Sequence, residues 1–224
     1  MKTYKNQMNK LFSNQKLYLQ ALTHRSWVNE NDAKRGTNER LEFLGDAILE
    51  FIVSEAIYDK FPNEEEGYLT ALRANLVNTK NLSQVAEKLD IGSEIFLSKG
   101  EEDGGGRTNS SLLADTVEAI IGALFLDLGI EASNKFVQEN ILIDVDKKAS
   151  LPLKDPKSLL QEKVQAQNLP APKYQVVSEN GPDHNKMFTV EVVIDGKSTA
   201  QGTGRSKSEA EQDAASKALE SVVK

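Results

Sequence analysis

Asn38-Glu39-Arg40-Leu41-Glu42-Phe43-Leu44-Gly45-Asp46-Ala47-Ile48-Leu49-Glu50 is the stretch from which the rest of the chain can be read. On a helix that turns about 100° per residue, counted from Glu39, Glu42 falls at roughly 300° and Asp46 at roughly 340°. Leu41, Leu44 and Ile48 fall between roughly 140° and 200°. One face therefore carries three carboxylates and the opposite face an apolar stripe. Packing the stripe against a core crowds the acids. Like charges that close hold their protons more tightly unless a cation sits among them. A hard divalent cation with oxygen ligands, Mg²⁺ above all, suits such a place.

A second acidic pair supports the first. Leu112-Leu113-Ala114-Asp115-Thr116-Val117-Glu118-Ala119-Ile120-Ile121-Gly122 reads as a mostly apolar helix. Asp115 and Glu118, three residues apart, are neighbours on one of its faces. Acids inside an apolar run are costly to bury unless they bind a metal or find partners. The plainer alternative is a pair of solvated helix faces, the usual fate of a surface glutamate. Two acidic clusters on two apolar helices favour the metal.

Length and composition narrow the classes. A chain of 224 residues suits one or two domains, and at 39% hydrophobic it can bury an ordinary core. There is no cysteine, which excludes disulfides and thiolate zinc sites and fits a reducing cytoplasm. No apolar run approaches the roughly 18 to 20 residues of a membrane span. The stretch Met1-Lys2-Thr3-Tyr4-Lys5-Asn6-Gln7 has no apolar segment after its lysines, so it does not read as a secretory signal. The net charge of −7 argues at first against a nucleic-acid partner. Its distribution weakens that objection. Residues 1–150 hold 17 basic and 24 acidic residues, whereas residues 151–224 hold 10 of each. The excess lies with the acidic clusters, and a local basic face in the second half remains open.

The chain divides in two by pattern. Up to about residue 147 it is helical, with candidate helices over 15–24, 38–60, 65–89, 109–128 and 131–143 and a stop at Gly129. Gly100 to Arg107 reads as a flexible polar loop. Lys147 to Lys154 reads as a linker. Asp155 then caps a helix with Pro156 at its first position, running to about Gln167. Tyr174 to Ser178 reads as a strand. Phe188, Val190, Val192 and Ile194 alternate as in a half-buried strand, and Asp195-Gly196 predicts a hairpin into a third strand ending near Gln201. Ser206-Lys207-Ser208-Glu209 forms a capping box for a last helix to about Val222.

The segment Asn38 to Asp46 resembles the signature of the ribonuclease III family, endonucleases that cut double-stranded RNA. Leu22-Thr23-His24-Arg25-Ser26 before it and Leu113 to Gly122 after it match in the same order. The α-β-β-β-α order of the second half resembles the double-stranded-RNA-binding domain. The resemblance implies an all-α endonuclease domain over 1–147, a linker over 148–154 and an α+β RNA-binding domain over 155–224. It implies cleavage of duplex RNA to 5′-phosphate and 3′-hydroxyl ends with short 3′ overhangs, in the cytoplasm, during maturation and decay of ribosomal and messenger RNA. Mg²⁺ is the implied cofactor, with Mn²⁺ able to replace it.

By the same resemblance, Glu39, Glu42, Asp46, Glu66, Asp115 and Glu118 fill the family's metal-binding and catalytic positions. Asp46 and Glu118 are the expected direct ligands, with Glu42 and Asp115 as additional ones. Glu66 is selected from Glu64-Glu65-Glu66 by the pattern Phe61-Pro62-Asn63-Glu64-Glu65-Glu66-Gly67; Glu64 and Glu65 suit a helix N-terminus. A metal among these acids would hold a phosphate oxygen and lower the pKa of water. His24 is read as a structural hydrogen-bonding residue. Phe43, near 40° on the acidic side, is read as a subunit contact in a homodimer, where two-fold symmetry would set two sites across one valley.

In the second half the implied RNA contacts are Gln161 and Glu162 on the first helix, His184 and Lys186 in the Gly181–Lys186 loop, and Arg205, Ser206 and Lys207 at the last helix start, where backbone N–H groups favour phosphate. Relatives usually carry two adjacent basic residues where this chain has Lys207-Ser208. Three other functions compete. A non-catalytic RNA binder of the same fold would lack an acid, and all six positions are filled. A small-molecule phosphohydrolase has no use for the second domain. A helical adaptor leaves the paired acidic clusters without a reason.

Overall fold

The computed structural model describes residues 8–31, 35–182 and 186–222. The chain forms two compact units, Met1–Leu153 and Lys154–Lys224. The first is helical: α1 Gln15–Ala21, α2 Arg25–Glu30, α3 Glu39–Lys60, α4 Glu66–Val77, α5 Thr79–Lys88, α6 Lys99–Asp103, α7 Ser110–Leu128, α8 Ile130–Asn140 and α9 Val145–Ala149. The second holds α10 Pro156–Ala166, the strands β1 Lys173–Asn180, β2 Met187–Ile194 and β3 Lys197–Gly204, and α11 Lys207–Val222. This is the all-α unit followed by an α-β-β-β-α unit that the pattern predicts. Among the described residues no helix is long and apolar enough to cross a membrane.

α7 forms the centre of the first unit. Leu113, Val117, Ile120, Ile121 and Leu124 are buried along it and share one core with Leu49 and Ile52 of α3, Leu72 and Leu76 of α4 and Leu82 of α5. Each such side chain contributes about 1.5–3 kcal/mol by leaving water. The tightest junction is between α3 and α7. A Cβ at Gly45 would collide with the Glu118 carbonyl, and one at Gly122 with the Leu41 carbonyl. Only hydrogen at both positions lets the two backbones touch.

The segment before α3 is pinned from behind. Thr23 pairs with Phe96 in an isolated parallel bridge, and the Asn38 N–H donates to the Thr23 carbonyl at 2.9 Å. Asn38 is buried and makes no side-chain cap, so this backbone bond sets where α3 begins.

Several predicted elements differ from what the structure contains: the helix expected over 15–24 ends at Ala21, and the unpredicted α2 follows it. The helix expected over 65–89 breaks at Asn78, which ends α4 and caps α5 by accepting the Asn81 N–H at 2.9 Å. An asparagine side chain offers the backbone this alternative to continued helix. The expected loop at 100–107 is ordered. Ser98 caps α6, and the Arg107 guanidinium donates to the carbonyls of Gly92 and Ile95 at 2.9 and 3.1 Å. Within 147–154, α9 continues to Ala149, and the Leu153 carbonyl accepts the Asn75 side-chain amide at 2.7 Å.

In the second unit the strands lie in the order β1-β2-β3, all antiparallel. Asp195 and Gly196 both have positive φ, 48° and 74°, as a tight two-residue hairpin turn requires. Asp155 caps α10 by accepting the Lys157 and Ser158 N–H groups. Leu160 and Val164 of α10, Val192 and Ile194 of β2, and Ala214, Ala215 and Ala218 of α11 form the core. The capping box is displaced by one residue: Ser206 accepts the Glu209 N–H at 3.1 Å, but Glu209 reaches back to the Arg205 N–H at 2.8 Å.

Gly45→Ala should destabilise the first unit by about 2 kcal/mol or more, because the added carbon meets backbone that cannot move aside. Urea unfolding of the full chain measures it. An unchanged midpoint would show that α3 and α7 can part at no cost.

Candidate active site

The α3–α7 junction brings acids from two remote stretches together. Glu42, in the first turn of α3, faces Asp115 and Glu118 of α7. One carboxylate oxygen from each lies within 4.8 Å of the others, and all three are half-buried. Three hard anionic oxygens at that separation fit a divalent cation such as Mg²⁺.

The electrostatics show the strain of that arrangement. Burial pushes Glu118 up to about 8, helped by the negative charges of Asp46, Asp115, Glu42 and Glu50. Glu42 is raised by burial and then by Asp115, Glu39 and Asp46. Asp115 is raised by burial, partly offset by the neighbouring His24. Shifts of this kind, from desolvation plus named charge partners, mark functional sites.

The other predicted acids stand outside the trio. Asp46 is exposed on α3, one turn beyond Glu42, and after burial is the strongest influence on Glu118. Glu39 is exposed, with Arg25 at 3.4 Å and the Thr37 hydroxyl at 3.0 Å. Glu66 opens α4 and accepts the Thr70 hydroxyl at 2.9 Å. Glu50, which the sequence reading did not single out, lies one turn beyond Asp46, and its position on the same helix face was the signal available.

His24 caps α2. Its Nδ1 accepts the Ser26 N–H, and the Ser26 hydroxyl accepts the Ser98 N–H at 3.0 Å. The ring therefore ties α2 to the start of α6. Phe43 is 81% exposed, and Phe51 and Tyr58 on the same helix are 58% and 71% exposed. Those two aromatics were missed. They fall at roughly 120° and 100° on the wheel that puts Phe43 near 40°, so helical spacing could have found them.

In the second unit Gln161 is exposed on α10, and Glu162 pairs with Lys154 at 2.7 Å. Lys186 and Lys207 both reach Glu179, at 2.9 and 3.5 Å. Arg205 and Ser206 are exposed at the start of α11. His184 lies outside the described residues.

Known proteins share both units. A family profile described as Ribonuclease-III-like matches residues 14–145, and one described as Double-stranded RNA binding motif matches residues 156–222. The protein named Ribonuclease 3 in Geobacillus kaustophilus is 47% identical over 94% of this chain and 86% of its own length. Its namesake in Halalkalibacterium halodurans is 46% identical over 95% of this chain and 81% of its own length. The solved nuclease domain of ribonuclease III from Campylobacter jejuni superposes with a TM-score of 0.56 at 40% identity, covering 61% of this chain and 94% of that domain. The chain belongs to the ribonuclease III family, and its C-terminal unit is a double-stranded-RNA-binding domain.

Proposed function

We propose that the chain is a Mg²⁺-dependent endoribonuclease that cuts double-stranded RNA at the Glu42, Asp115 and Glu118 cluster, with Mn²⁺ as an alternative ion. The convergence of three acids from two helices in a chain with a duplex-RNA-binding unit carries this reading. Asp46, Glu42, Asp115 and Glu118 would hold the cation. When bound, the cation supplies a Lewis acid for the scissile phosphate and acidifies water at neutral pH. Glu118 and Asp46 hold the charge that positions it. Glu39 and Glu66 act as further catalytic carboxylates. The products are 5′-phosphate and 3′-hydroxyl ends.

The exposed Phe43 is the basis for a homodimer, with Phe51 and Tyr58 extending the apolar surface. The Campylobacter jejuni nuclease domain has a region involved in dimer formation. A two-fold pair of sites cutting opposite strands leaves short 3′ overhangs. Residues 1–147 cut and residues 155–224 hold the duplex, through Gln161, Glu162, His184, Lys186, Arg205, Ser206 and Lys207. The setting is the cytoplasm, in maturation and decay of ribosomal and messenger RNA.

Glu118→Gln should abolish cutting and leave duplex binding within about twofold, since its charge serves the cleavage step alone. Gel analysis of a long duplex with Mg²⁺ and with chelator, beside a binding titration, checks both. A variant that cuts at the normal rate removes Glu118 from the site.

Metal and pH are linked through the same residue. Glu118 ionises near 8 in the fold, against 4.5 for an ordinary glutamate. The stability of its protonated form is complete below the ordinary value and lost as pH rises through the raised one. The metal-free chain should therefore lose thermal stability between about pH 5 and pH 9, and Mg²⁺ should restore more of it at the alkaline end. Thermal midpoints with Mg²⁺ and with chelator measure this. A metal effect that does not grow with pH contradicts it.

Removing residues 154–224 should weaken duplex binding by at least about tenfold and leave the first unit folded. Equal binding by the truncated chain would end the division of labour.

A further inference from the structure

The C-terminal unit must hold a polyanion, yet residues 151–224 carry no net charge. One acid sits where it matters most. Glu179, near the end of β1, pairs across the sheet with Phe188 of β2. Its carboxylate is 2.9 Å from the Lys186 ammonium through one oxygen and 3.5 Å from the Lys207 ammonium through the other. Both ammonium groups lie 5.7 Å from the centre of the Phe188 ring. Lys186 precedes β2 and Lys207 opens α11, so a single carboxylate gathers cations from two elements over one aromatic floor.

An anionic group whose two oxygens each meet an ammonium is what a phosphodiester would present in the same place. We propose that Glu179 is a built-in competitor for RNA phosphate: it occupies the space between Lys186 and Lys207 and must be displaced for those lysines to bind the backbone. This rests on the duplex-RNA reading of the second unit. The side chains of Lys186, Lys207 and Glu179 are 36%, 59% and 36% exposed, so the carboxylate is within reach of displacement. Displacement has a cost in affinity. It also has a signature in salt. Phosphate contacts release cations from the RNA, whereas a freed carboxylate takes cation back up, so Glu179 makes the salt dependence shallower than two free lysines would.

The test is duplex binding by the full chain in chelator, which prevents cutting, with a blunt RNA of about 20 base pairs across a range of salt. Glu179→Gln should bind about three- to tenfold more tightly at moderate salt, with a slope steeper by up to about one unit. Lys207→Ala should cost more in the Glu179→Gln background than in the natural chain, because the lysine is then fully available. Weaker or unchanged binding by Glu179→Gln overturns the proposal and makes the acid a support that positions the lysines. If Lys186→Ala and Lys207→Ala leave binding unchanged, it is the RNA reading of this face that fails. If they weaken it while Glu179→Gln does not tighten it, that reading stands and the competitor role falls.

Discussion

Backbone contact between α3 and α7 is the constraint on which the first unit depends. Gly45 meets the Glu118 carbonyl and Gly122 meets the Leu41 carbonyl, with no room for a Cβ at either position. Two helices that close share their side chains at the edge of the contact. There Glu42 faces Asp115 and Glu118. Even a methyl group between the backbones would push the helices apart, and the carboxylates with them. The glycines do no chemistry, yet they set the separation at which three acids can share one ion.

That closeness works against stability. Glu118 lies in an apolar helix and is raised by burial and by four neighbouring acids. The buried residues of α7 hold the site together against this repulsion: Val117, Ile120, Ile121 and Leu124 pack on neighbouring helices. A cation among the oxygens would turn repulsion into attraction. The cluster thus offers a place for a positive charge that its own side chains do not supply.

The second unit treats charge in the opposite way. Several of its described acids are engaged by nearby cations: Glu211 by Lys157 at 2.6 Å, Glu162 by Lys154 at 2.7 Å, and Glu179 by two lysines. Asp155 is held down to about 2, chiefly by the Ser158 hydroxyl and the Gln212 amide. Where the first unit concentrates unpaired acids, the second distributes matched pairs over a small alanine-rich core.

Local chemistry determined much of the fold. The apolar stripe opposite Glu39, Glu42 and Asp46 marked α3, Asp155-Pro156 opened α10, and Asp195-Gly196 turned β2 into β3. Each is a decision made within a few residues. The family signature likewise lay in short runs of sequence. Tertiary structure decided the rest. Asn78 had to choose between continuing a helix and capping the next one, and Arg107 found carbonyls at Gly92 and Ile95 that no local pattern announces. Which carboxylates meet was settled in the same way. A helical wheel gives the direction of a side chain, but not where along its length a helix is crossed. The crossing at Gly45 and Gly122 placed Glu42 against Asp115 and Glu118 and left Asp46 exposed beside them, because depth and register belong to packing between helices.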